Sequence, residues 1–238
     1  MARISNANIE QYRPSGSNSN STKSKRHYLT LKDNGNIARG RILCENAEDI
    51  ECMEVHRVKV GDYEREVNCR FDKENGGTID DCPFCKAGIK KTAKIFIPFF
   101  NKEAEEGSEI QIFERPYGYY SKISNYCARY NPIVGTEVEI ERRGEAGYQK
   151  TDYDIFPVGD RDGTTVNDIL DDCGVEELPK ILGLYVLDKS AEDMEYYVAN
   201  GEFPPYNNAN EDIPQRRRTA TSDEASRRRT SERRGDRF

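Results

Sequence analysis

Between residues 26 and 158 apolar and polar positions alternate with a period of two over short runs, a pattern that predicts β-strands separated by tight turns. Residues 27–31 read as a strand, Asn34-Gly35 as a turn and 38–44 as its hairpin partner. Residues 52–60 and 63–71 form a second predicted hairpin across Gly61-Asp62. A two-residue turn fixes its register: Val60 faces Tyr63, Val58 faces Arg65, His56 faces Val67 and Glu54 faces Cys69. Two further strands are expected at 94–100 and 109–115. In the first, Ile95, Ile97 and Phe99 form the inward face, with Lys94 and Phe96 opposite. In the second, Ile110 and Ile112 point inward, while Gln111, Phe113 and Arg115 point outward, followed by Tyr117. Residues 136–143 and 148–158 read as a closing hairpin around Gly144 and Gly147, with Tyr153 and Ile155 inward and Tyr148 and Lys150 on the other face.

Helical spacing interrupts this pattern in three places. Tyr119, Ile123, Tyr126, Cys127 and Tyr130 recur as one buried face until Asn131-Pro132 stops the helix. Val166, Ile169, Leu170 and Cys173 mark a short amphipathic helix. Ser190 with Asp193 resembles a capping box for another, ended by Gly201 and Pro204-Pro205. The expected class is therefore mainly β with some α. Four segments are expected: a flexible polar arm at 1–25, a β core at 26–160, a helical extension at 161–205 and a disordered Arg-rich tail at 206–238.

Composition agrees with such a division. Only 35% of the 238 residues are hydrophobic and 33% are charged, which suits a core of roughly 150–180 residues with polar flanks. No stretch approaches the ~20 apolar residues of a membrane span. The opening Met-Ala-Arg-Ile-Ser-Asn has no apolar run of the secretory kind, so a cytoplasmic protein is expected. Seven cysteines, an odd number, fit a reducing compartment with thiols free or metal-bound. The net charge is −7, but residues 211–238 carry nine Arg against six acidic residues, a local +3. A local basic groove, not the whole-chain balance, decides nucleic-acid binding.

The sharpest chemistry lies in Cys82-Pro83-Phe84-Cys85, preceded by Cys69 and His56 at intervals of twelve intervening residues. Two thiols two residues apart chelate one ion from a tight turn, and Zn²⁺ needs two more soft or borderline ligands to close a tetrahedron. The hairpin register sets His56 and Cys69 as diagonal neighbours about 7–8 Å apart on one face. Cys52 falls on the same face and is a rival to His56. A thioredoxin-like redox pair would need a buried strand running straight into Cys82, whereas the lead-in from Lys73 to Asp81 is polar and glycine-rich. A subdomain spanning about 52–92 around one structural zinc is the expectation. Cys44, Cys127 and Cys173 sit among apolar neighbours and read as core thiols.

Catalytic patterns are absent: there is no phosphate-binding glycine loop and no Ser-His-Asp order, so no enzymatic activity is expected. Rings and cations instead alternate along three strands, the combination that stacks bases and neutralises phosphates of single-stranded nucleic acid. The triple-arginine runs of the tail add a second cationic element.

With these residues in view, the segment from about Arg26 to Val158 resembles the zinc-containing single-stranded DNA-binding (helix-destabilising) proteins of tailed bacteriophages, those of the T-even type included. The likeness rests on His56, Cys69 and Cys82-Pro-Phe-Cys85, the basic–aromatic stretch that follows, and the closing hairpin from Glu137 to Ile155. It implies an OB-fold barrel with the zinc subdomain inserted beside a DNA groove. It also implies coating of single strands without sequence specificity during phage DNA replication, recombination and repair. Carried onto this chain, the zinc ligands are His56, Cys69, Cys82 and Cys85. The DNA-binding groove would draw on Lys90, Lys94, Phe96, Phe113, Arg115, Tyr117, Tyr148 and Lys150. Implied partners are single-stranded DNA, further copies of the chain, and replication or recombination proteins reached through the terminal segments. Members of this type usually end in an acidic tail, and this chain ends in a net basic one. The alternative reading is a zinc-ribbon scaffold for protein–protein contact in a replication or transcription complex.

Overall fold

The computed structural model describes residues 27–71, 76–145 and 151–205. The polar arm at 1–25, the Arg-rich tail from 206 onward, and Tyr148 and Lys150 lie outside them. Seven antiparallel strands carry the described fold: β1 (Ile37–Ile42), β2 (Glu51–Val60), β3 (Tyr63–Asn68), β4 (Lys91–Asn101), β5 (Ile110–Pro116), β6 (Glu137–Arg143) and β7 (Asp152–Val158). Four helices accompany them: α1 (Pro83–Lys86), α2 (Tyr120–Arg129), α3 (Val166–Asp172) and α4 (Ala191–Asn200).

The β4 strand organises the sheet because it is long enough to serve three partners. Its first half pairs with β2, Cys52 opposite Ile95 and His56 opposite Lys91, while its end pairs with β1, Ile42 opposite Phe99. Pro98, which has no N–H to donate, falls between the end of one pairing and the start of the other. The opposite edge of β4 carries β5. The order is β3-β2-β4-β1-β6-β7, with β5 on the free edge of β4, and among the described residues the sheet does not close.

The β2–β3 hairpin has the register expected from its turn, with Val60 opposite Tyr63 and His56 opposite Val67. The first expected hairpin does not form. Both edges of β1 are taken, by β4 and β6, so residues 27–31 run parallel to β5 instead. There Leu29 N donates to Ile112 O at 3.0 Å and Ile112 N to His27 O at 2.8 Å.

The main core lies against one face of the sheet. Ile95, Ile97 and Phe99 of β4 meet Ala38, Ile42, Val138, Ile140 and Tyr153, and α2 covers it with Ile123 and Cys127. The inward set expected for β4 is thus the one observed. In β5 the two faces are exchanged: Phe113 enters the main core, and Ile112 points to the other side. That other side is also buried. Ile181, Tyr185 and Val186, from the segment after α3, lie over Phe96, Ile112, Met53 and Val55. Phe96 and Phe113 are 0% and 1% exposed, so the outward-facing aromatic surface expected for these strands does not exist at either ring. The described residues through Pro204 gather into one compact unit.

Arg41 fastens the chain that leads to α3, its guanidinium making a two-pronged contact to Asp162 at 3.0 and 2.6 Å and a third bond to Val134 O at 2.9 Å. Ile169 then packs with Leu43 and Val134. The α4 helix opens on Ser190, whose side chain accepts from Asp193 N at 3.0 Å, and ends at Gly201 in the left-handed conformation.

At Gly40 the backbone of β4 leaves no room for a side chain: a Cβ there would sit 1.7 Å from the Phe100 carbonyl oxygen. Backbone cannot yield as a side chain can. Gly40→Ala is therefore expected to lower unfolding stability by roughly 1–3 kcal/mol, read as a lower urea midpoint at unchanged slope.

Candidate metal centre and adjoining groove

Three separate pieces of chain deliver one cluster of donors. His56 comes from the middle of β2, Cys69 from the residue after β3, and Cys82 and Cys85 from the turn into α1. Backbone bonds hold each piece: Cys69 N donates to Glu54 O at 2.9 Å, and Lys86 N to Cys82 O at 3.0 Å. Pro83 stands in the first turn of α1, where a missing N–H costs nothing.

The donor atoms of His56, Cys69, Cys82 and Cys85 all lie within 4.8 Å of one another. A tetrahedral ion with zinc's bond lengths sets sulfurs about 3.8 Å apart and a sulfur and a nitrogen about 3.6 Å apart. The observed edges are 3.4 and 3.5 Å from His56 Nε2 to Cys82 and Cys85, and 3.9 and 3.5 Å from Cys69 to the same two sulfurs. Geometry and donor chemistry both fit one metal ion. His56 is fully buried, and its Nδ1 meets no partner; a proton on Nδ1 leaves Nε2 free as a ligand. Hydrogen bonding from Cys69, and next from His56, draws the Cys82 thiol far below its ordinary pKa, while Cys69 is pushed up by its bond to Cys82.

Cys52 is no ligand here. It shares the His56 face of β2 by alternation, but four residues upstream, roughly 13 Å along a strand. Its sulfur is buried in the main core and lies 3.7 Å from Ile50 O. Cys44 and Cys127 are core thiols as expected, and Cys173 packs half-buried beside Leu43 and Ile169.

The cluster is roofed by the C-terminal extension. Phe84, fully buried, meets His56 edge-on at 5.4 Å and Tyr197 of α4 at 5.5 Å. Met194 is buried against the same group, and Tyr197 Oη donates to Lys59 O at 2.8 Å. Leu187 extends the sheet beside β3, exchanging backbone bonds with Glu66 and Asn68 at 2.8 and 3.1 Å.

A cleft of about 460 Å³ lies beside the β2–β3 hairpin. The hairpin contributes Arg57, Glu64, Arg65 and Glu66; the opposite wall contributes Tyr28, Arg115, Arg142, Tyr153 and Tyr185. The Arg115 guanidinium stacks on Tyr153 at 4.0 Å and on Phe113 at 4.6 Å. Its Nε is buried without a hydrogen-bond partner, and so is that of Arg142.

The other residues carried over for DNA binding are distributed unevenly. Lys94 pairs with both Glu66 and Glu114. Lys90 is exposed, at the end of the metal turn. Tyr117 is partly exposed and stacks on Tyr120 at 5.6 Å with rings parallel within 2°. Arg115 is the one member that lines the cleft; Phe96 and Phe113 are buried, and Tyr148 and Lys150 fall outside the described residues. Arg57, Arg65 and Arg142 line it without having been singled out by their sequence surroundings. Arg57 and Arg65 flank a hairpin already assigned to the metal, which was the signal available.

Cys82→Ser is expected to lose the bound metal and to melt at a lower temperature. Cys52→Ser is expected to keep one metal ion per chain. Metal analysis of the purified variants, with thermal melts, checks both outcomes, and a Cys52 variant without metal would break the ligand set. The chain matches no protein-family model and no curated protein.

Proposed function

We propose that this chain binds single-stranded DNA without sequence specificity and without catalysis, through the cleft beside a structural zinc centre. The supporting observation is Arg115: a cation laid flat on two aromatic rings, its Nε buried and unbonded, lining an open cleft. Such a group is fixed in place by packing and pairs with no carboxylate among the described residues, which leaves its charge for a phosphate. Arg142 lines the same cleft, its Nη1 donating to Leu31 O at 2.5 Å and its Nη2 to Glu145 O and Thr151 Oγ1 at 3.5 Å. Tyr28 and Tyr153 provide ring surface beside them.

In this reading the sheet curled about its main core is an OB-type barrel, and the β2–β3 hairpin with its metal turn is the insertion that forms one wall of the groove. Zinc in the site would have all four positions filled by protein, so it contributes folding energy and holds that wall. His56, Cys69, Cys82 and Cys85 would hold it. The carboxylates of the cleft are partly neutralised from within: Lys94 sits between Glu66 and Glu114, and Arg57 lies 3.0 Å from Glu64. The resemblance to phage helix-destabilising proteins supports the same reading, with replication, recombination and repair as its setting.

Fluorescence anisotropy with labelled oligo-dT tests it. The wild-type chain is expected to bind saturably, with affinity falling as salt rises. Arg115→Ala is expected to weaken binding and to reduce the salt slope by about 0.7, the share of one phosphate on a single strand. Absence of saturable, salt-sensitive binding by the wild type would overturn the proposal.

A further inference from the structure

A second pocket, of about 630 Å³, opens between α2 and β7. Its chemistry differs from that of the first cleft in one respect: no carboxylate lines it among the described residues. In a chain with 43 acidic residues against 36 basic ones, a pocket lined by two cations and three rings beside Asn125, Ile155 and Pro157 is a selective environment, although Lys122 is itself paired with Asp152 and Asp154. Tyr126 and Tyr130 stand on successive turns of α2 with ring centroids 4.6 Å apart and planes tilted by 30°. Phe156 of β7 closes the other side and is 40% exposed. Arg129, in the last turn of α2, is exposed and makes no ion pair among the described residues. The Tyr126 hydroxyl is buried with no hydrogen-bond partner.

Rings that offer a face, a cation without a carboxylate, and an unsatisfied hydroxyl fit an occupant that is both planar and anionic. The two openings are also joined through β7. Tyr153 lines the first cleft and residues 155–157 line the second, a separation of about 7–13 Å along an extended strand. Lys122, which lines the second, donates to Tyr153 O at 2.6 Å between the two.

We infer that the α2–β7 pocket is a second seat for the same polynucleotide strand, taking a base against Tyr130 and Phe156 and a phosphate at Arg129; this rests on the reading of the first cleft as a single-strand groove. The strand would leave the Arg115 cleft, follow β7 past Tyr153 and enter the second pocket. A short oligonucleotide fills the first cleft alone, and only a longer one reaches the second.

The test compares oligo-dT of about 6 and about 20 nucleotides, lengths chosen around the usual footprint of a single-strand groove, on the full chain and on the double variant Arg129→Ala/Phe156→Ala. Both positions are exposed, and an unchanged thermal melt shows that the variant is folded. The expected result is about tenfold weaker binding of the long oligomer, the size of one lost stacking contact with its cation, with the short oligomer unaffected. Equal affinity of variant and wild type for the long oligomer would overturn the inference. So would an equal loss for both lengths, or a variant that has lost binding only to an acidic, tyrosine-bearing peptide. A wild-type chain that binds neither oligomer would instead sink the underlying reading of the first cleft. Should Arg129→Ala/Phe156→Ala unfold, Arg129→Glu alone gives the same readout, with a loss confined to the long oligomer supporting the inference and no loss overturning it.

Discussion

Four donor atoms within 4.8 Å of one another constrain more of this chain than any other contact. They come from three pieces of chain: β2, the residue after β3, which hydrogen bonds back to β2, and the turn into α1. Four side chains with this geometry bring these three pieces to one point. Phe84 is carried into the space behind His56, where α4 closes over it with Met194 and Tyr197. The outer part of the β2–β3 hairpin, from Arg57 to Arg65, has no third strand beside it among the described residues, and an ion at its base would make it a fixed wall. With the metal absent, the thiols and a buried imidazole with an unpaired Nδ1 would face one another at the same place, a polar cluster with little reason to stay buried.

The cleft beside that wall owes its character to packing rather than to charge count. Its lining carries Arg57, Arg65, Arg115 and Arg142 against Glu64, Glu66 and Glu114, a nearly balanced set. What differs is how each charge is engaged. Lys94 draws Glu66 and Glu114 together, and burial pushes Glu66 above its usual pKa. Arg115 is held by rings instead of by a carboxylate, so its hydrogen-bonding edge is not consumed by an acidic partner. A whole-chain charge of −7 and a local cationic seat are therefore compatible.

Much of this was legible in the sequence where a local rule set the answer. The Gly61-Asp62 turn has two residues, which fixed the hairpin register position by position and with it the approach of His56 to Cys69. The Cys82-Pro-Phe-Cys85 turn carries its own geometry. Strand faces were legible in β4, whose expected inward set is the one observed, and not in β5. The β5 strand is buried on both sides, by the main core at Phe113 and by Ile181–Tyr185 with Val186 at Ile112, so alternation gave no indication of which side was which. The covering segment lies some seventy residues further along the chain, and the roof that α4 places over the donor cluster more than a hundred, and neither leaves a mark on the strands it covers. The segment at 27–31 has the composition of a strand, but it lies parallel to β5, since β1 already has two neighbours. Cys52 and His56 show the same limit on a smaller scale. Alternation gives a residue's face but not its position along that face.

The central claim is that the metal holds the wall of a nucleic-acid groove, and one measurement bears on it most directly. The protein is stripped of metal by a chelator under reducing conditions, and its affinity for oligo-dT is compared before stripping, after it, and after one equivalent of zinc is returned. The affinity should fall by about tenfold or more, the size of one or two lost contacts, and recover on reloading. Stripped protein that binds oligo-dT with the original affinity and salt slope would contradict the account.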